Sequence, residues 1–286
     1  MSAFLDSFTK YIKENNINVY RVAEIEGDGE ARVTELAVCN PCQNSYSVSK
    51  FFTLTAVGML WDEGKLGMEE RLTDILAPYC PHGMDDKWNS ITIEMVIKHH
   101  TGLPEGYLDI DCDDATKFGD DYLGYVLSTP VGDTERYSYT DADFYLLSRV
   151  VAERAGMPMC RYLWDKLFLP LGFREVAWSC CPLNHAMGAT GLYIRTEDTV
   201  KLGALYLNKG VHGSKRLLSE AWVDTVTERG YLPYYTKEAY GHGGMRGQML
   251  LVLPNENLAV AWHGCHGESK LLKDFISNYF DKNTED

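Results

Sequence analysis

Tyr46-Ser47-Val48-Ser49-Lys50-Phe51-Phe52-Thr53 opens a run that stays apolar at helical spacing through Phe51, Leu54, Val57, Met59 and Leu60, and Gly64 stops it. The pattern predicts a helix from about Ser47 to Glu63. Residues three apart share a helix face, so the Lys50 amine can reach the Ser47 hydroxyl. A serine is a weak nucleophile until a neighbouring base takes its proton. A lysine stripped of water can be that base, because burial favours its neutral form. The start of a helix adds partial positive charge, which stabilises a developing alkoxide. Ser-x-x-Lys alone is a weak signal, since an average chain of this length holds about one by chance. A second example, Ser7-Phe8-Thr9-Lys10, lies inside a helix predicted over residues 3–15 and is read as surface. Taken alone, Ser47 and Lys50 also fit a helix cap beside a solvated lysine.

Upstream, strand-like runs at about 18–26 and 31–38 flank Gly27-Asp28-Gly29, a hairpin signal. Downstream, residues 66–186 read as short helices and loops punctuated by Pro78, Pro81, Pro104, Pro130 and Pro170, with 142–155 the clearest helix. Helices are expected near 196–208 and 217–226. Three strand-like runs follow between 239 and 264, with Pro254-Asn255-Glu256-Asn257 as a turn, and an amphipathic helix closes the pattern at 268–282. The economical arrangement pairs the N- and C-terminal strands in one antiparallel sheet flanked by helices. The expected fold is therefore α/β (α+β), with residues 1–66 and 187–286 as the sheet-bearing region. Residues 67–186 are expected to form an inserted, mostly helical region, the two making one catalytic unit.

Two further stretches suit acyl chemistry. Tyr139-Thr140-Asp141 offers a phenol as a second proton carrier if a lysine draws its pKa down. The plain alternative is a core tyrosine before a helix that Asp141 caps, and Tyr107-Leu108-Asp109 and Tyr279-Phe280-Asp281 are similar triplets. His242-Gly243-Gly244 lies in a strand-like context, where a bare backbone can approach a substrate and donate N–H groups. Its alternative is a Gly-rich bulge.

In this order, Ser47-x-x-Lys50, Tyr139-x-Asp141 and His242-x-Gly244 resemble the three motifs of the serine β-lactamase and penicillin-binding-protein-like superfamily. The tyrosine in the second motif resembles class C β-lactamases and the related esterases and D-peptidases. Other blocks are similar too: Leu60 to Leu66, Ile91 to Pro104, Tyr137 to Leu147, Pro170-Leu171-Gly172, Gly188 to Leu192 with Thr196-Glu197-Asp198, and Gly241 to Gly247. The similarity spans about residues 18–280. It implies a β-lactamase/transpeptidase-like fold and an acyl-enzyme formed on Ser47, with Lys50 and Tyr139 moving the proton. It further implies an oxyanion hole from the backbone N–H groups of Ser47 and Met245, substrate contacts from Asp141, His242, Gly243 and Gly244, and no metal or organic cofactor.

Two departures shape the expected substrate. The second motif usually ends in Asn, whereas an ionised Asp141 only accepts hydrogen bonds and could hold Lys50 protonated. Gly243 stands where a hydroxyl residue usually binds a substrate carboxylate, and His242 carries less charge than lysine near pH 7. The chain is also shorter than most class C enzymes. These changes favour an esterase or amidase on small acyl substrates. The alternative within the class is β-lactamase or D-peptidase activity, and the alternative outside it is a catalytically inactive ligand-binding or sensing homologue.

Composition narrows the rest. The 286 residues are 45% hydrophobic and 24% charged, ordinary for a globular protein. The formal net charge of -14 disfavours nucleic-acid and anionic-membrane partners. The N-terminal stretch lacks a signal-peptide pattern and no run is long enough to span a bilayer, so a cytoplasmic protein is expected. The eight cysteines include Cys39-Asn-Pro-Cys42 and the vicinal Cys180-Cys181. No second pair follows at zinc-ligand spacing, so both are read as structural thiols. His99 and His100 are read as structural, and Arg246 as a surface ion-pair former. Tyr231-Leu232-Pro233-Tyr234-Tyr235 either lines a substrate pocket or packs on the core. Oligomeric state is not encoded in any pattern here.

Overall fold

The computed structural model describes residues 2–235, 239–265, 267 and 269–281. In chain order the helices are α1 (Ala3–Glu14), α2 (Ser49–Asp62), α3 (Leu72–Ile75), α4 (Ile93–Ile97), α5 (Tyr122–Leu127), α6 (Asp141–Ala155), α7 (Met159–Leu163), α8 (Thr196–Leu207), α9 (Glu220–Glu228) and α10 (Ser269–Asp281). The strands are β1 (Val19–Glu26), β2 (Arg32–Glu35), β3 (Cys42–Asn44), β4 (Val176–Trp178), β5 (Leu192–Arg195), β6 (Val211–His212), β7 (Lys215–Arg216), β8 (Tyr240–Gly244), β9 (Gln248–Leu253) and β10 (Leu258–Gly264). Two compact units divide the chain: residues 1–51, 171–177 and 193–286 form the first, residues 52–170 and 178–192 the second.

The first unit is built on an antiparallel sheet of order β2-β1-β10-β9-β8, so strands from the two ends of the chain pair as the sequence predicts. Every residue of β9 and β10 is buried, which is why these strands read as nearly continuous apolar runs. α1 and α10 cover one face, where Phe4, Leu5, Phe8, Leu272 and Ile276 join Met249, Leu251, Val260 and Trp262 in one cluster. The rings of Phe8 and Trp262 meet edge to face at 5.5 Å. Burying a side chain of this size contributes about 1.5–3 kcal/mol, so this layer is a main source of the unit's stability. α8 packs across β10, β1 and β9.

The edge strand β2 is short and charged. Arg32 pairs with Glu24 and Glu26 of β1 at 2.9 and 3.0 Å, and Arg21 pairs with Glu35. The strand expected to run to 38 stops at Glu35, because the N–H groups of Leu36 and Ala37 both turn to the Tyr20 carbonyl, at 2.8 and 3.2 Å. A second sheet, of order β3-β5-β4, was not foreseen, since three- and four-residue strands are too short to show a period. The ninth helix begins at Glu220 rather than 217. Ser219 caps it by accepting the Trp222 N–H at 3.0 Å, and Leu217 and Leu218 bond back to the Gly210 carbonyl.

The second unit is mostly helical. Phe52, Leu54, Val57 and Leu60 of α2 and Tyr145, Leu146, Leu147, Val150 and Val151 of α6 are all fully buried. Polar groups inside it find partners: Thr53 donates to the Gly188 carbonyl at 2.7 Å, Ser148 to the Ala186 carbonyl at 2.6 Å, and the Trp88 indole to the Thr129 carbonyl at 3.0 Å. Thr140, not Asp141, is the N-cap of α6, its hydroxyl accepting the Ala142 N–H at 3.2 Å. Asp141 and Asp143 instead occupy the first turn, where negative charge meets the positive end of the helix dipole. Among the described residues, no helix is long and apolar enough to cross a membrane.

Candidate active site

The first unit carries Ser47, Lys50, His242, Gly243, Gly244 and Met245; the second carries Tyr139 and Asp141. β3 ends at Asn44, whose side-chain oxygen accepts the Tyr46 N–H at 2.9 Å. A single 3-10 turn, Tyr46–Val48, then precedes α2, so Ser47 sits just before the α-helix rather than within it. Lys50 is wholly buried and Ser47 half-buried, and Lys50 Nζ donates to Ser47 Oγ at 3.3 Å. The three-residue spacing thus delivers the contact expected of it.

β8 runs beside this turn. A Cβ on Gly244 would overlap the Ser45 carbonyl oxygen and lie 3.3 Å from Tyr46 Cβ. Only glycine lets the strand pass so close to the two residues that precede Ser47. Met245 follows β8 with part of its side chain exposed, and Arg246 places its guanidinium 5.9 Å from the Tyr46 ring centre. Among the described residues Arg246 thus lies over an aromatic ring and forms no ion pair of the kind expected. Tyr46 and Arg246 have φ of 47° and 59°. Such conformations cost side-chain-bearing residues about 1–3 kcal/mol each. They adjoin Ser47 and Met245, the two residues whose N–H groups are expected to hold an oxyanion.

His242 is buried and its Nδ1 lies 2.7 Å from the Gly243 carbonyl oxygen, so in the tautomer that donates there the imidazole caps its own strand. The Gly243 N–H donates to Tyr235 Oη at 2.6 Å. Sequence reasoning left Tyr235 undecided between pocket and core; its ring packs on the α1/α10 cluster while its hydroxyl reaches the third motif.

In the second unit, Tyr139 immediately precedes the Thr140 cap. Its carbonyl accepts the Gly106 N–H at 2.8 Å, and its ring lies 4.8 Å from that of His99. His99 Nδ1 is 2.9 Å from Asp143 Oδ2, and the Thr101 hydroxyl donates to Asp143 Oδ1 at 2.7 Å. His99 was read as structural, as its place here bears out; its partner Asp143 is the supporting residue that sequence reasoning passed over, and its full burial, which demands a partner, shows only in the structure. Asp141 is buried, and its carboxylate converges with those of Asp109 and Asp111, all within 4.8 Å of one another. Among the described residues this trio is the one group with the geometry to hold a cation. Asp109 already accepts the N–H groups of Asp111 and Cys112, and Thr190 donates to Asp111.

Other titratable groups in the first unit are built for structure. His263 is fully buried with Nδ1 3.0 Å from Thr196 Oγ1; burial, then the nearby Arg21, push its pKa down to about 3, so it is neutral. Burial and the Glu175 carboxylate push the Cys42 thiol up to about 11, which keeps it protonated and a poor nucleophile.

Comparison with known proteins gives a consistent picture. A family model described as Beta-lactamase matches residues 42–263. The chain is 24% identical over 248 residues to the 6-aminohexanoate-dimer hydrolase of Paenarthrobacter ureafaciens, an alignment covering 79% of the chain and 62% of that protein. The chain thus spans less than two thirds of the length of this curated relative. Among solved structures, a penicillin-binding protein homolog from Caulobacter crescentus superposes with a TM-score of 0.70 at 16% identity, covering 91% of each chain. A class C beta lactamase from Rhodobacter sphaeroides superposes with a TM-score of 0.70 at 17% identity, covering 96% of this chain and 99% of the other. At these identities the structural matches establish the fold.

Proposed function

Because the chain belongs to the beta-lactamase family, we propose that it is a serine hydrolase that acylates itself on Ser47, acting on small esters or amides. The observation that carries this reading is Lys50 Nζ, buried and donating to Ser47 Oγ at 3.3 Å. Ser47 Oγ adds to the substrate carbonyl carbon as its proton passes to Lys50 or Tyr139. The oxyanion is held by the N–H groups of Ser47 and Met245, each such donor being worth about 10²–10³ in rate. Collapse breaks the bond to the leaving group, which takes the proton, and water then adds to the acyl-enzyme, releases the acid and restores Ser47. This chemistry calls for no metal or organic cofactor.

The small-acyl preference rests on the third motif. Gly243 offers no hydroxyl, and the His242 imidazole is engaged with its own backbone at 2.7 Å, so an anionic β-lactam or D-peptide carboxylate finds little there. β-Lactamase or D-peptidase activity is the second reading, supported by the family itself. A binding protein without turnover is the reading that Asp141 favours, since an acidic residue there, beside Asp109 and Asp111, only accepts hydrogen bonds when ionised.

The test is intact-mass spectrometry after incubation with a p-nitrophenyl ester and with a penicillin, on wild type and Ser47→Ala. A Ser47-dependent acyl adduct from the ester, with turnover and without a penicillin adduct, supports the proposal. A penicillin adduct moves it to the second reading, and no adduct with either overturns acyl transfer at Ser47.

A further inference from the structure

β8 is the outer strand of its sheet. An outer strand ordinarily presents unpaired N–H and C=O groups that an extended peptide can join as one more strand. Here both outward N–H groups, those of Gly241 and Gly243, are already taken. Residues 233–235 fold back along the start of β8: Tyr234 bridges Tyr240, the Gly241 N–H donates to the Pro233 carbonyl at 3.2 Å, and the Tyr235 N–H donates to the Ala239 carbonyl at 2.8 Å. Where that backbone leaves off, the Tyr235 side chain continues. Its Oη accepts the Gly243 N–H at 2.6 Å, and the Gly243 carbonyl oxygen faces His242 Nδ1 at 2.7 Å. The phenol is held in place by its packing on the α1/α10 cluster and by Lys273, whose Nζ stands 4.9 Å from the ring centre.

Gly243 belongs to the same device. A Cβ there would lie 3.1 Å from Tyr235 Oη and 3.2 Å from Met249 Cε, closer than side chains normally settle. The missing side chain at 243 is what admits the tyrosine hydroxyl.

We propose that Tyr235 is a specificity-determining residue: by capping the outer edge of β8 at Gly243, it excludes substrates whose main chain would pair with that strand and restricts turnover to acyl groups without a peptide backbone. This deepens the reading of Ser47 as the nucleophile beside β8 and rests on it. Substrates of the admitted class are short fatty-acyl or similarly plain acyl esters and amides. Peptidyl donors must first displace a part-buried hydrogen bond.

Two esters with one leaving group separate these classes: p-nitrophenyl butyrate, and the p-nitrophenyl ester of N-acetyl-alanyl-alanine, which alone offers backbone amides. The readout is the ratio of kcat/KM, dipeptidyl over butyryl, in full-length wild type, Tyr235→Phe and Tyr234→Phe. Tyr235→Phe keeps the ring and removes the acceptor. The ratio is expected to rise about fivefold to tenfold, the worth of one neutral hydrogen bond, chiefly through a lower KM for the dipeptidyl ester. Tyr234→Phe, whose ring leans on Tyr240 at 5.9 Å, should leave the ratio within about twofold. Amide hydrogen exchange supplies a second readout: the Gly243 amide should be protected in wild type and exchange faster in Tyr235→Phe. An unchanged ratio in a Tyr235→Phe protein of wild-type melting temperature, or a Gly243 amide that exchanges freely in wild type, overturns the inference. Failure of wild type to form any Ser47-dependent acyl adduct would instead sink the underlying reading, while the exchange experiment would still decide the capping.

Discussion

Replacing Lys50 by methionine separates catalysis from stability. The lysine side chain is wholly buried, with Nζ donating to Ser47 Oγ at 3.3 Å inside the first unit. A buried amine gives up its hydration and recovers only part of it through fixed partners. Replacement by an apolar side chain of similar length removes one partner of a buried polar contact and should cost about 1–3 kcal/mol. Activity should fall far more. Losing a general base costs about 10²–10⁴ in rate, so acylation of Ser47 should fall by at least 100-fold. Urea denaturation gives the first quantity, since methionine changes little of the surface exposed on unfolding and the slope should hold. Stopped-flow release of p-nitrophenol gives the second. Acylation within about tenfold of wild type, at a stability loss of this size, would refute the reasoning and make Lys50 a structural residue.

Gly244→Ala should cut activity at least 100-fold, because its Cβ meets the Ser45 carbonyl and pushes β8 off the serine turn; steady-state kinetics within tenfold of wild type would contradict this. Asp143→Ala leaves His99 Nδ1 and Thr101 Oγ1 without their buried acceptor and should destabilise the protein by about 3 kcal/mol or more in chemical denaturation, a loss under 1 kcal/mol being the contrary result. Below pH 6.5 the unfolded chain protonates His263, whereas the folded chain refuses the proton until about pH 3, so stability should fall as acid is added through that window. The drop is worth up to about 5 kcal/mol at about 1.4 kcal/mol per pH unit. His263→Gln should flatten the dependence between pH 6.5 and 4 relative to wild type, and parallel curves would count against it.

What could be read from the sequence was what depends on neighbours in the chain. Ser47 and Lys50 are three apart, and a helical turn fixes their distance. The long apolar runs at 248–253 and 258–264 announce strands covered on both faces, and the Pro254–Asn257 turn between them fixes their pairing. The Thr140 cap was missed in favour of Asp141 because both residues cap well, and only the backbone angle at 140 decides between them. β3 and β5 were missed because each is only a few residues long and the two lie about 150 residues apart in sequence. The link from Tyr235 to Gly243 is invisible in sequence for another reason. A glycine in a motif reads as a lost side chain, and nothing local says that a hydroxyl eight residues away has taken the space. His99 was read as structural, which its hydrogen bond to Asp143 fits, but its ring contact with Tyr139 depends on α4 and α6 packing together.

The main sheet has two sides open to a newcomer, and they are closed by different means. β2 is four residues long and carries Arg32 and Glu35 in ion pairs with β1, while β8 is lined by a folded-back segment and a phenol. A molecule seeking to stack onto either side meets charged side chains in one case and must break a short, part-buried hydrogen bond in the other. Charge on one margin of this sheet and a tyrosine hydroxyl on the other are thus two separate guards against strand-on-strand pairing, and each can be removed without touching the other.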